Sequence, residues 1–333
     1  MLFITNRSIN EDKKLKPGRK ITFDINDNRS GQDAFFCERK SKDKYIELGN
    51  EQFFNKLKSS KEKQILIYIH GYSNLPEPHI FPRSSMLQTL FDDKEKGLVK
   101  VIPMIWPCDN DITVLEDYWD DQRAADASAF AFSRVFGKFM KWREKGDNIE
   151  DPCMKRINVL AHSMGNRVLR ESVKAWGKYD RNYNLPIIFR NSFLVSADVV
   201  NETLEPGKDG NLITQCSRNV TVYHASDDMA LRASKITNLK NLIASRRLGH
   251  TGPEDPKKVP KNVYSADCDD VNTKYDFPAG HSYFLDDVKK SKKSKKPVPG
   301  VVFEHMFHSI KTGRVKDEPL RSKNMILEAT TKI

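Results

Sequence analysis

A chain of 333 residues, 38% hydrophobic and 30% charged, can bury a sizeable core, and no apolar run approaches the roughly 20 residues of a membrane span. The opening Met1–Arg7 lacks the pattern of a secretory leader, so a cytoplasmic protein is expected. The net charge of +11 suggests nucleic acid, but six of the excess charges sit together on Lys289, Lys290, Lys292, Lys293, Lys295 and Lys296; without interleaved aromatics or arginines, such a run reads as a solvated loop able to touch acidic surfaces, with no specific nucleic-acid partner expected.

Residues 1–60 are polar, with short β-like pieces at 20–25, 34–38 and 44–48 that read as hairpins joining a sheet, and a short helix at 50–58. From residue 64 onward, strands alternate with helices. The strands are expected at 64–70, 99–106, 156–162, 188–195, 219–224 and 262–266. The helices are expected at 84–92, 115–144, 166–176 (stopped by Gly177) and 229–243. Alternation of this kind, with strands apolar along their whole length, predicts a mostly parallel sheet buried on both faces. Residues 253–260 and 286–299 read as loop insertions, and 300–333 as a C-terminal extension of one domain, 1–333, whose catalytic core is 64–285.

The most informative segment is Ala161-His162-Ser163-Met164-Gly165. It follows a predicted strand and precedes a predicted helix, the context of a nucleophile elbow. Small residues are needed two before and two after the serine, because neighbouring backbone passes close. Gly165 meets that need, and Ala161 stands where glycine is usual. Ser163 is the candidate nucleophile. The oxyanion donors are expected to be the Met164 N–H and the Tyr72 N–H, in His70-Gly71-Tyr72-Ser73-Asn74 after the 64–70 strand. His70 is read as shaping that loop, and His162 as packing below the elbow.

A serine needs a base and a group to orient it. Among the downstream histidines, His281 in the Gly280-His281 loop beyond the last predicted strand is the preferred base, and His250 is the alternative. The acid is sought after strand 219–224, where Asp228 is preferred and Asp227 comes next, one orienting the imidazole and the other capping the following helix. Asp198, after the preceding strand, is the further alternative. Trp106 and Trp119 fit either a substrate pocket or the core. His305 and His308, and the acids Asp267, Asp269 and Asp270, read as a helix face and a solvated loop. The five scattered cysteines form neither a disulfide framework nor a zinc site. No metal or cofactor is expected, and the sequence sets no oligomeric state.

The order His70-Gly71-Tyr72, then Ala161 to Gly165, then Asp228, then Gly280-His281 resembles the α/β-hydrolase superfamily. It resembles more narrowly an uncharacterised esterase/lipase-like branch, a domain of unknown function. Thr5-Asn6-Arg7, Asp121-Gln122-Arg123-Ala124-Ala125 and Ser226-Asp227-Asp228-Met229-Ala230-Leu231 fit that branch. The resemblance covers roughly residues 1–285 and implies an α/β-hydrolase fold with N-terminal antiparallel strands and a Ser-His-Asp triad, acting on a small-molecule ester or thioester. An acyltransferase on the same site, or a non-catalytic binding protein of this fold, are the rival readings.

Overall fold

The structure, a computed structural model, describes residues 1–12, 14–25, 27–108, 114–232, 246–316 and 324–330, with the side chains of 114–119 and of 147 left aside. The N-terminal strands are β1 (Leu2–Arg7), β2 (Lys20–Ile21), β3 (Ser30–Ser41) and β4 (Lys44–Glu47). They are followed by β5 (Gln64–Ile69), β6 (Val99–Ile105), β7 (Arg156–His162), β8 (Phe189–Val195), β9 (Ser217–His224), β10 (Val263–Asp267) and β11 (Asn324–Ile326). All join one sheet in the order β11-β10-β9-β8-β7-β5-β6-β1-β3-β4-β2. The pairs from β11 to β1 are parallel, and β3, β4 and β2 add antiparallel pairs at one edge. This is the mostly parallel sheet with N-terminal antiparallel strands that the sequence implies.

Each strand feeds two cores because successive side chains point to opposite faces. On β5, Ile65 and Ile69 enter one core and Leu66 and Tyr68 the other. Helices α1 (Gly49–Ser59), α3 (Val114–Arg143) and α5 (Gly165–Asp180) cover the first face through Phe53, Phe136 and Trp176, with the short α4 (Gly146–Glu150) following α3. Helix α2 (Phe81–Glu95) and the helix Val301–Thr312 cover the second through Phe91, Phe303 and Phe307. The buried Ala124, Ala125, Ala129 and Ala131 of α3 are small enough for α3 to run close along α5.

Three expectations change. Gly177 does not stop α5, which continues to Asp180 with Gly177 buried against Leu212 and Leu185. The 286–299 segment is not a bare loop but holds the helix Val288–Ser294, whose start is capped by the Asp287 carboxylate accepting from Lys290 N at 3.0 Å. The 300–333 segment is no appendage, since Val301–Thr312 fills the second core and β11 pairs with β10. Of the helix expected at 229–243, residues 229–232 are helical and 233–243 lie outside the described residues.

The chain passes from β5 to β6 on one side, then crosses back to β7 on the other. Strand order therefore reverses at β5, and the crevice at the C-terminal ends of β5 and β7 is where open α/β sheets place ligands. At the opposite end, four buried amides form a ladder across adjacent strands. Asn158 Nδ2 donates to Gln64 Oε1 (3.2 Å), Asn191 Nδ2 to Asn158 Oδ1 (2.8 Å) and Asn219 Nδ2 to Asn191 Oδ1 (2.9 Å). Gln64, Asn191 and Asn219 also donate to the carbonyls of Ile310, Ser309 and Gly313, tying in the last long helix.

Candidate active site

Ser163 stands in the one-turn gap between β7 and α5 with φ +53°, a left-handed conformation rare for a residue with a side chain. The surrounding bonds hold it there. Ser163 N donates to Val195 O (2.9 Å), and Asn166 Nδ2 to the carbonyls of Ala161 (2.9 Å) and Ser163 (3.0 Å). Ala161 is wholly buried between Ile69 and Leu194, so a methyl is accommodated where glycine is usual. Gly165 is less forgiving. A Cβ there would lie 2.6 Å from the carbonyl oxygens of both Ile69 and His70. Gly165→Ala should therefore destabilise the fold by about 1–3 kcal/mol through overpacking. Urea unfolding would read this as a lower midpoint at unchanged m-value, and an unchanged midpoint would contradict the packing described.

The loop after β5 reaches the serine from the other side of the crevice. A Cβ on Gly71 would meet Ser163 Cβ at 2.9 Å and Ser163 Oγ at 3.4 Å, so only glycine lets this backbone approach. The loop is fastened at every residue. His70 stacks on Trp106 with ring centroids 5.1 Å apart; its Nδ1 donates to Gly71 O (2.8 Å) and its Nε2 accepts from Trp106 N (3.2 Å). Burial lowers the His70 pKa to about 3, so the ring is neutral and structural, as the sequence suggested. Asn74 Nδ2 donates to Tyr72 O and Gly71 O, and Arg83 donates to Asn74 Oδ1. Ser73 N donates to the wholly buried Asp121 carboxylate on α3 at 2.9 Å. Arg7 Nη1 holds the Cys108 carbonyl behind the loop (2.5 Å), and Thr5 Oγ1 the Ile105 carbonyl (2.8 Å). The Thr5-Asn6-Arg7 and Asp121 motifs thus meet around one loop. Asp121, Asn74 and Arg83 were absent from the sequence-based candidates; the signal for Asp121 was its place at the head of the Asp121-Gln122-Arg123-Ala124-Ala125 motif.

Asp228 and His281 come together although 53 residues separate them. His281 Nδ1 donates to Asp228 Oδ2 at 2.7 Å, and the carboxylate is wholly buried. The other oxygen, Oδ1, accepts from Leu231 N (3.0 Å) and caps the helical turn beginning at Met229. One carboxylate therefore does what the sequence reading divided between two. Burial alone would depress the His281 pKa, but the Asp228 charge and hydrogen bond outweigh it and the pKa is raised above 6.5. The His281 loop is held by Asp276 Oδ2, which accepts from the N–H groups of His281 (2.8 Å) and Ser282 (2.7 Å). The His281 carbonyl accepts from Ser196 Oγ (2.8 Å) and His162 Nε2 (3.1 Å). His162, next to the serine, thus packs under the turn with its ring 4.8 Å from that of His281. Burial first, and the His281 charge next, push the His162 pKa well below 6.5, so it stays neutral.

The alternatives are engaged elsewhere. Asp227 accepts from Asn272 Nδ2 and does not cap the Met229 turn. Asp198 forms a buried ion pair with Arg247 (3.1 Å), and His250 stands on the short helix Leu248–Thr251 beside β9. Trp106 is wholly buried against His70, which makes it a support of the loop and not a pocket wall. The Trp119 side chain lies outside what is described. Met164 follows the serine wholly buried, and its N–H donates to no described residue. Among the described residues, neither Ser163 Oγ nor His281 Nε2 is hydrogen-bonded, so both are free to meet a ligand. His305 is taken up by Tyr223 Oη (2.7 Å) and the Lys316 carbonyl (3.0 Å), and burial lowers its pKa to about 4. No described helix is long and apolar enough to cross a membrane.

The profile of a family described as alpha/beta hydrolase of unknown function (DUF900) matches residues 47–289. No curated protein matches. Among solved structures the chain is similar to phospholipase PlaB from Legionella pneumophila, with 13% identity and a TM-score of 0.27 over 65% of this chain and 41% of that one. A second structure of that phospholipase, in complex with thio-NAD, gives 13% identity and a TM-score of 0.26 over 64% and 40%. The chain thus spans well under two thirds of that protein's length.

Proposed function

The chain belongs to the α/β-hydrolase family, and we propose that it is a serine hydrolase acting on a carboxylic ester or thioester. The observation that carries this reading is the buried 2.7 Å bond from His281 Nδ1 to Asp228, made in the loop that also grips the residue beside Ser163. In this reading Ser163 Oγ attacks the carbonyl carbon while His281 Nε2 accepts its proton. The Asp228 carboxylate fixes the imidazole tautomer that leaves Nε2 bare and stabilises the cation that forms. The oxyanion is bound by the Met164 and Tyr72 N–H groups, aided by the positive end of α5. His281 then returns the proton to the leaving alcohol or thiol. Water attacks the acyl-enzyme with the same base and releases the acid. Contacts of this kind tighten once substrate is present, in keeping with a serine and a histidine that are not yet bonded to one another.

A fluorophosphonate probe tests the reading directly. It should label the protein at Ser163, and p-nitrophenyl esters of graded chain length should show which acyl group is preferred. A protein that neither takes the label nor cleaves any ester of the series is not a serine esterase.

Asp121 should act at one remove. It never touches substrate in this reading, but it holds Ser73 and with it the Tyr72 donor. Asp121→Ala should lower kcat up to about 10²-fold, the cost of a misplaced catalytic group, with a much smaller change in KM. Asp121→Asn, which keeps an acceptor oxygen, should recover part of the loss. Equal kcat in wild type and Asp121→Ala would separate this carboxylate from the chemistry.

A further inference from the structure

The helix Val288–Ser294 is ordered yet buries none of its residues. Its hairpin is closed by polar backbone contacts: the Asp286–Pro299 bridge, Asp287 N to Val298 O (2.8 Å), and Val298 N to Ser291 Oγ (2.9 Å). All six lysines from 289 to 296 are exposed. Lys290 pairs with Asp287 (3.1 Å), and the other five make no ion pair among the described residues. Lys289 with Lys292 and Lys293 places like charges three and four apart, which disfavours a helix in isolation. The chain therefore holds a cluster of exposed cations of which, among the described residues, only Lys290 has a carboxylate partner.

This cluster neighbours the candidate active site. The hairpin ends at Gly300, which lies against the Tyr275 ring, and Val301 N donates to Tyr275 Oη (3.3 Å). Two residues beyond Tyr275 stands Phe277, 85% exposed, four residues before His281. Ala279 O in the same turn accepts from Met229 N (3.1 Å), and the Met229 side chain is 54% exposed. A bare aromatic ring and a bare methionine thus flank the histidine loop, with the lysine helix on the next element. Apolar side chains that insert, beside cations that meet headgroups, are the two components of binding to an anionic lipid surface. A nucleic-acid site would instead need a basic groove with interleaved stacking residues, which this short helix does not form.

We propose that the lysine helix and the Phe277–Met229 rim dock this protein on an anionic lipid bilayer, with the mouth of the Ser163 site toward the lipid. Docking itself does not depend on the esterase reading; only its use for lipid substrates does.

The test is sedimentation of the full chain with vesicles of phosphatidylcholine alone, and of phosphatidylcholine and phosphatidylserine two to one. Wild type and Ser163→Ala should both bind the phosphatidylserine vesicles, with binding that weakens as salt rises, and neither should bind phosphatidylcholine alone. Replacing Lys289, Lys292, Lys293 and Lys296 together by Gln should weaken binding at least about tenfold. Phe277→Ser should weaken it independently of salt. The lysine variant should still cleave a soluble p-nitrophenyl ester at the wild-type rate. Equal binding to both vesicle types, or binding untouched by the lysine changes, would overturn the proposal. So would lysine-dependent retention of a duplex oligonucleotide without vesicle binding. Vesicle binding by a wild-type protein that cleaves no ester would instead leave docking standing and remove the esterase reading.

Discussion

Ser163→Ala should reduce ester turnover by on the order of 10⁴-fold or more while the protein stays folded. The turn around Ser163 is held by backbone bonds and by Asn166, none of which uses the hydroxyl. Truncation removes one atom from a nearly buried position and leaves no cavity of consequence. His281→Ala should be comparably damaging, and the double variant should lose little more, because nucleophile and base act as one unit. Far-ultraviolet circular dichroism and an unchanged thermal midpoint would establish that the fold survives. Purified Ser163→Ala with near wild-type kcat would end the nucleophile assignment.

Asp228→Asn should lower kcat by on the order of 10⁴-fold, because an amide favours the wrong imidazole tautomer. The asparagine keeps an oxygen to accept from Leu231 N, so the turn at Met229 stays capped and the fold stands. The pH profile gives a second readout. His281 must be neutral to accept a proton, and its pKa is raised above 6.5. The acid limb of kcat/KM should therefore lie above that value in the wild type. Without the Asp228 charge and hydrogen bond, burial is opposed only by the smaller effects of the Asp276 and Asp198 charges, so the limb should move to lower pH in the variant. The same shift sets a stability signature: the pair's contribution is fully present below about 6.5 and is lost as pH rises through the raised folded-state value. Asp227→Asn should leave kcat near wild type. Asp198→Asn should leave kcat near wild type in the folded protein but cost about 3 kcal/mol or more, by stranding the buried Arg247. The largest fall in kcat at Asp198 would move the acid to the strand before.

The strand–turn–helix around Ser163 was legible because it is local: an apolar run, small residues at fixed offsets and a helical pattern follow one another in sequence. The parallel sheet was legible for the same reason, through the alternation of strands with helices. What escaped depended on contacts between distant segments. Nothing in Ser226-Asp227-Asp228 says which carboxylate faces a histidine 53 residues on, and the fact that a single one both caps and orients is visible only in three dimensions. Trp106 could not be sorted between pocket and core until His70 was seen stacked on it. Gly177 was misread because a glycine at helical spacing signals an end or a close contact with equal force. The lysine segment was misread because composition points to a loop, whereas a single aspartate at its start supplies the cap that lets a helix form.

The amide ladder from Gln64 to Asn219 has a consequence for how this scaffold can change. A slip of one residue in β5, β7, β8 or β9 would leave amides unpaired inside an apolar core, so these strands are pinned in alignment at the end remote from Ser163. The height of each strand tip is thereby set independently of the loops above it. Substitutions in the loops above, away from Gly71, Ser163, Gly165 and Asp228, can accumulate without shifting the ends of β7 and β9 from which the Ser163 and Asp228 segments leave. Alignment is secured at one end of the sheet, leaving the other end open to diversification.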